Sequence, residues 1–290
     1  MSNPTVFPGP VTNTYLPSRV DDYLPAVLRN HEFLSQNGWK NNIAVRHNPY
    51  TMVNNCEGKT IFEHLADDPK RLTRFNEAMM AADSGLVTVG LYPFQEELGS
   101  LATDDSVTMV DVGGGRGHVI RQIKGSVPNL KGKFILQDRP PVIEDNGKEI
   151  EAHGIEAMPH DFFNPQPVKG RFPTRQQVTQ VLTYLPGVLV YYIRRCFHDW
   201  PDEPESRQIL ENLAASMDRE RSRILITEFI VPEVGSNMSL AWMDQTMMAF
   251  GGVERTEKDW ARLLDISGLK LVKVWKAPGV PVGVVEARLK

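Results

Sequence analysis

The sequence predicts an open α/β fold with a mostly parallel sheet, and three observations carry that prediction. An apolar run, Val107 to Val112, is followed by four glycines within five positions and then by Val119, Ile120 and Ile123 at helical spacing. A second apolar run, Lys133 to Asp138, ends on an acid after one helical stretch. Strand-like and helix-like stretches then alternate to about residue 267, the order that winds a parallel sheet with helices on its faces.

Taken in order, residues 1–20 are rich in Pro, Thr, Asn and Gly and read as irregular. Asp21 and Asp22 can cap a helix running to about Gln36, where Asn37-Gly38 stops it. A polar stretch continues to Gly58. Thr60-Ile61-Phe62-Glu63 opens a short helix, and Asp68-Pro69 is an N-cap followed by proline at the first helical position. Leu72, Phe75, Met79 and Met80 then recur at helical spacing, either as a substrate-facing wall or as a helix packed on the core. The helix after the glycines closes near Gly125. Residues 141–153 read as a helix, 155–158 as a short strand, 188–193 as the fourth strand, 204–217 as a helix and 223–229 as the fifth strand. A Met-rich helix covers 240–250. The last helix, 256–267, has Thr256 as N-cap, Asp259 completing a capping box and Gly268 as its stop. Residues 269–275 and 280–289 alternate enough to close the fold as an antiparallel pair around Pro278-Gly279.

Composition removes several function classes. The chain of 290 residues is 41% hydrophobic and 23% charged, enough apolar residue for one large domain or a domain with an appendage. A net charge of −4 leaves no electrostatic footprint for nucleic acid. Two cysteines, Cys56 and Cys196, make no disulfide framework and suit a reducing, cytoplasmic setting. Met1-Ser2-Asn3-Pro4 lacks a signal peptide's basic and apolar pattern, and no run of apolar residues is long enough to span a membrane.

The spacing of the glycines narrows the ligand. A dinucleotide fingerprint starting at Gly113 needs glycine at position 118, where His118 stands, and no Gly-Lys-Ser/Thr closes the turn as a phosphate loop requires. The pattern present is acid-x-G-x-G-x-G: Asp111, Gly113, Gly115, Gly117. It resembles the cofactor loop of class I S-adenosylmethionine (SAM) methyltransferases. A tight turn in some other α/β protein is the weaker reading on the glycines alone. Asp138, an acid at the end of the next strand able to accept hydrogen bonds from ribose hydroxyls, weakens it further.

His198 stands just past the fourth strand, at the edge where open α/β sheets place ligands. Glu228 sits at the matching end of the next strand, and Glu254 in the turn before the last helix. An imidazole is a natural general base for a hydroxyl that must lose its proton, and a carboxylate on its other nitrogen would fix tautomer and orientation. A lone histidine is more often a satisfied structural group. The strand-end position and the two candidate partners favour catalysis here.

Four stretches, Asp111-Val-Gly-Gly-Gly-Arg-Gly117, Cys196-Phe-His-Asp-Trp-Pro-Asp202, Ile226-Thr-Glu-Phe-Ile-Val-Pro-Glu233 and Gly251-Gly-Val-Glu-Arg-Thr256, are similar to the SAM-dependent O-methyltransferase family of plant caffeate and flavonoid enzymes, especially its fungal secondary-metabolite branch. The likeness covers roughly residues 60–289. It implies a Rossmann-like, seven-stranded, mostly parallel sheet with an antiparallel C-terminal hairpin. It implies methylation of a hydroxyl on a small aromatic or polyketide-like acceptor, with SAM as donor. No metal is expected, since the sequence shows no clustered ligand set beside the loop. By that resemblance His198 is the base, flanked by Glu228 and Glu254. Asp111, Gly113, Gly115 and Gly117 form the loop facing the methionine part of SAM, Asp138 is the ribose acid, and Asp161 and Phe162 flank the adenine. Arg194 stands where many plant members have a cofactor-touching lysine, and Asp199, Met243 and Met247 fall near the acceptor pocket.

The resemblance also implies a division into a mainly helical N-terminal segment, 1–100, the remnant of a dimerisation and acceptor-side region, and a catalytic domain, 101–290. A homodimer would then be weakened by the missing N-terminal domain. Residues 171–187 read as an atypical insertion: a surface loop, a lid or translated intron. The expected partner is a hydroxylated small molecule, neither nucleic acid nor membrane. Two other readings stay open, a SAM-binding relative that runs a pericyclic or dehydrating reaction and a truncated, non-catalytic remnant.

Overall fold

The structure is a computed structural model that describes residues 19–40, 42–81, 89–169 and 187–290, with the side chains of 19, 20 and 76–81 outside that description. Residues 1–18 of the expected irregular start, residues 171–186 of the insertion expected at 171–187 and the side chains of Met79 and Met80 therefore lie outside the described residues. In chain order the helices are α1 (Leu24–Leu28), α2 (Asn30–Gln36), α3 (Pro49–Asn54), α4 (Ile61–Ala66), α5 (Pro69–Ala81), α6 (Phe94–Leu98), α7 (His118–Ser126), α8 (Pro140–Ala152), α9 (Arg207–Ala214), α10 (Met238–Phe250) and α11 (Glu257–Ile266). The strands are β1 (Val107–Val112), β2 (Lys133–Asp138), β3 (Glu156–Pro159), β4 (Val190–Arg194), β5 (Arg223–Val231), β6 (Arg255–Thr256), β7 (Leu269–Lys276) and β8 (Val282–Leu289).

Two compact units emerge. The larger takes residues 85–197, 202–235 and 255–290 and holds the sheet, ordered β3-β2-β1-β4-β5-β8-β7. Pairing is parallel from β3 to β5, and β8 runs antiparallel between β5 and β7. The expected seven strands and their antiparallel close are all there, and the two-residue β6 adds to β5 as an eighth. The central strands read as apolar runs because helices cover both faces. Val119, Ile120 and Ile123 of α7 are buried in one cluster with Met109, Phe134, Leu136 and Ile150. Register keeps the ends of β1, β2 and β4 level, with Val112 beside both Gln137 and Ile193, while β5 runs on from Ile226, beside Ile193, to Val231.

The smaller unit takes the described residues up to 84 together with His198–Pro201 and Ser236–Glu254. Its core is aromatic, with Tyr23, Tyr50, Phe75 and Phe250 buried beside Leu65 and Met247. The single helix expected over 21–36 is instead two, broken at Arg29, whose backbone leaves the helical region (φ −102, ψ 6). Asp22 does not act as a cap. Its buried carboxylate accepts from Arg71 Nε of α5 at 2.6 Å. The polar stretch before Gly58 contains α3, opened by Asn48 in a capping box with Thr51 and by Pro49. That is the same signal that correctly placed α5 at Asp68-Pro69. In the sheet unit, the helix expected over 204–217 starts as a π-helical turn, Asp202–Ser206, in which Glu203 alone is extended (φ −130, ψ 137), as residues before proline tend to be, and continues as α9 to Ala214.

Gly117 shows how tightly the loop is built into the sheet unit. It has φ +70, and a Cβ there would lie 2.3 Å from Ile150 Cδ1 of α8. Gly117→Ala should therefore destabilise the chain by about 2–4 kcal/mol, from left-handed strain and overpacking together. Urea unfolding measures it; a change under about 0.5 kcal/mol would contradict this packing.

Candidate active site

The glycine loop is held by the strand next to it. The N–H groups of Gly113 and Gly114 both donate to the Gln137 carbonyl, at 2.8 and 3.1 Å. Gly115 N–H donates to Asp138 Oδ2 at 2.8 Å, and Arg139 N–H to Asp138 Oδ1 at 2.7 Å. Burial raises the proton affinity of Asp138, and these two bonds pull it back. Asp111 is buried beneath the loop, and its Oδ2 has no hydrogen-bond partner among the described residues. Burial first, and the charge of Asp138 second, push its carboxyl up to about 7, against the opposing charge of Arg194.

Phe162 packs on the same loop, since a Cβ at Gly113 would meet its Cε1 at 3.4 Å and Cys196 Sγ at 3.0 Å. Asp161 shapes its own turn, with Oδ1 accepting from Phe163 N–H at 3.0 Å. Asp111, Gly113, Gly115, Asp138, Phe162 and Arg194 are thus gathered at one edge of the sheet unit. Gly117 faces the helix α8 behind it.

In the smaller unit, His198 lies in a single tight turn, Phe197–Asp199, and is 6% exposed. Its Nδ1 stands 2.8 Å from Glu254 Oε1. A carboxylate only accepts, so Nδ1 carries the proton and Nε2 is the ring's basic nitrogen. Asp199 Oδ1 is 3.8 Å from Nε2. The turn after α10 is pressed onto the same peptide. Val253 N–H donates to the His198 carbonyl at 2.9 Å, and a Cβ on Gly252 would sit 2.1 Å from that oxygen, so only glycine fits. Met247 is buried in the aromatic core, and Met243 packs at its edge. The rings of Phe62 and Trp200 lie 5.8 Å apart.

Glu228 belongs to the sheet unit. Its Oε1 accepts from the N–H groups of Cys196 and Phe197, at 2.9 Å each, so it grips the backbone that leads directly into His198.

Sequence reasoning missed three charged groups. Asp244 of α10 accepts from Glu254 N–H at 3.4 Å, and burial raises its proton affinity. Arg255 and Asp202 pair at 2.8 Å in the sheet unit. Both members of that pair stand inside the motifs already noted, but the sequence does not say which charges meet across the chain.

The family model for the O-methyltransferase domain matches residues 40–172 and 175–270. The O-methyltransferase desB of Aspergillus desertorum is 39% identical over 277 residues, covering 93% of this chain and 62% of desB. The crystal structure of OxaC superposes with a TM-score of 0.86 at 44% identity, covering 97% of this chain and 66% of that one, and OxaC is also known in complex with SAH and oxaline. The structure of LepI complexed with SAM superposes with a TM-score of 0.84 at 27% identity, covering 97% of this chain and 68% of that one; a structure described as a pericyclic reaction enzyme superposes with a TM-score of 0.83 at 27% identity, covering 97% of this chain and 68% of that one. The present chain thus spans about three fifths of the length of desB. A family match over most of the sequence, on a sheet whose edge carries the acid-and-glycine loop, places the chain in the O-methyltransferase family.

Proposed function

We propose that the chain methylates a hydroxyl of a small aromatic or polyketide-like secondary metabolite, with SAM as donor and His198 as general base. The observation that carries this reading is the 2.8 Å bond from His198 Nδ1 to Glu254, which leaves Nε2 as the basic nitrogen. SAM supplies an electrophilic methyl group on a sulfonium sulfur. His198 Nε2 takes the hydroxyl proton as the oxygen attacks, and Glu254 steadies the imidazolium that forms. Glu228 fixes the peptide leading into His198. Asp199, Met243 and Met247 are proposed on the acceptor side.

The residues of the glycine loop suit such a cofactor. The buried Asp111 oxygen lacks a donor, which a cationic amino group would provide. Asp138 has carboxylate lone pairs beyond its two backbone bonds for ribose hydroxyls. Phe162 offers a flat face for adenine, Asp161 a polar partner beside it, and Arg194 a charge that moderates Asp111. The complexes of OxaC with SAH and of LepI with SAM support the choice of cofactor. The proposed setting is the cytoplasm. Among the described residues no helix is long and apolar enough to cross a membrane.

The likeness to a pericyclic reaction enzyme supports a second reading, in which the chain turns over an acceptor without methyl transfer. Methyl-labelled SAM separates the two: incubated with a panel of hydroxylated aromatics, label should appear in product. Conversion of an acceptor with no label incorporated would favour the second reading. His198→Ala should lower turnover by about 10²–10⁴-fold while SAH still binds; retained turnover would remove His198 from the chemistry.

Asp111 gives a pH signature in the absence of cofactor. Its folded carboxyl keeps a proton up to about pH 7, whereas an unfolded aspartate releases it near pH 4. Its contribution to stability is full below about pH 4 and is lost as the pH rises to about 7. Asp111→Asn should therefore stabilise the cofactor-free chain at pH 8, by on the order of a few kcal/mol, and hardly at all at pH 4.5. Denaturant midpoints at the two pH values measure this; an equal difference at both contradicts it.

A further inference from the structure

Two motifs contain charged residues that the proposed reaction leaves unused. Arg255 follows Glu254 in the chain and is 2% exposed. Its Nε donates to Asp202 Oδ1 at 2.8 Å, Nη1 to the Phe197 carbonyl at 2.9 Å and Nη2 to Ser206 Oγ at 3.0 Å. The guanidinium lies over the ring of Trp260, 5.1 Å from its centre. Asp202 also accepts from Arg262.

The Phe197 carbonyl belongs to the residue directly before His198, and the N–H of that residue is one of the two that Glu228 accepts. Both polar groups of the Phe197 backbone are therefore held by side chains, one by a carboxylate and one by a guanidinium. The next carbonyl, that of His198, accepts from Val253 N–H. Bonds on either side of Glu254, from Val253 and from Arg255, thus tie its stretch of backbone to the stretch that carries His198.

We propose that Arg255, anchored by Asp202, is a positioning residue that sets the hydrogen bond between His198 and Glu254. A buried guanidinium is costly unless its donors are satisfied, and for stability alone an apolar side chain against Trp260 would serve as well. A planar fork with donors in three fixed directions does what an apolar group or a lysine cannot: it holds Asp202, Ser206 and the Phe197 carbonyl at once. A shift of about 1 Å at the imidazole would break a 2.8 Å bond and is enough to cost roughly 10²-fold in rate.

The inference deepens the reading of His198 as base, but its test needs neither turnover nor an acceptor. In protein labelled with 15N-histidine, a buried Nδ1–H bonded to a carboxylate gives a far-downfield proton resonance, assigned by its absence in His198→Gln. Arg255→Lys and Asp202→Asn should each lose that resonance or move it upfield, with near-UV circular dichroism and SAH affinity unchanged. Asp202→Asn keeps the side-chain volume and an oxygen toward Arg255, so it carries the test if Arg255→Lys fails to fold.

A resonance unmoved in the folded variants overturns the proposal. So does its loss in step with SAH affinity or near-UV signal, which would make the network a general scaffold, or its absence from the parent protein. Failure of the parent to transfer methyl groups would sink the proposed reaction and leave the resonance result standing.

Discussion

The parallel register of β1, β2, β4 and β5 is the constraint on which the cofactor side of the site depends. With Val112 level with Gln137 and Ile193, the chain leaves β1, β2 and β4 at the same height, and β5 runs on past Ile226, which is level with Ile193, to Val231. The glycine loop, Asp138, Arg194 and Glu228 therefore emerge along one edge without any of them having been brought there by a loop of its own. The ladder also explains why the loop is short of side chains. Gly113 and Gly114 spend their N–H groups on the Gln137 carbonyl, and Gly115 spends its own on Asp138, so backbone rather than side chain lines that edge. Asp111 is the exception. It lies inside β1, where no donor reaches its second oxygen, and the buried carboxyl responds by holding its proton more tightly.

The His198 side is built on backbone contacts too. Glu228 and Arg255 take the two polar groups of Phe197, Val253 takes the carbonyl of His198, and Gly252 is small enough to let that carbonyl approach. Charge-assisted bonds of this kind contribute about 1.5–3 kcal/mol each when their partners are otherwise buried. They leave the imidazole few alternative positions, as the general-base role proposed for it requires.

Much of this was legible in the sequence where one local rule governed. Residues 107–112 read as a strand because both faces are buried, and Thr256 with Asp259 read as a capping box that the structure contains. His198 and Glu254 were marked by strand-end and turn positions, and they meet at 2.8 Å. What stayed hidden depends on contacts between distant residues. The charge of Asp22 looked like a helix cap until Arg71 was seen to take it. The pairing of Arg255 with Asp202 joins two motifs that sequence order keeps apart. Met247, placed near the acceptor by resemblance, packs among Tyr23, Tyr50 and Phe75, a neighbourhood no spacing rule specifies. Helix α3 is a different case: Asn48-Pro49 announced it, and the polar residues around it masked the signal.

The central claim is that the glycine loop, Asp138 and Phe162 form a working cofactor site in this chain. Calorimetric titration of the folded protein with SAM and with SAH tests it most directly. The account predicts binding of both in the micromolar range, weakened when Asp138 is changed to Ala. A folded protein that binds neither would contradict it, and the family's chemistry would then not extend to this chain.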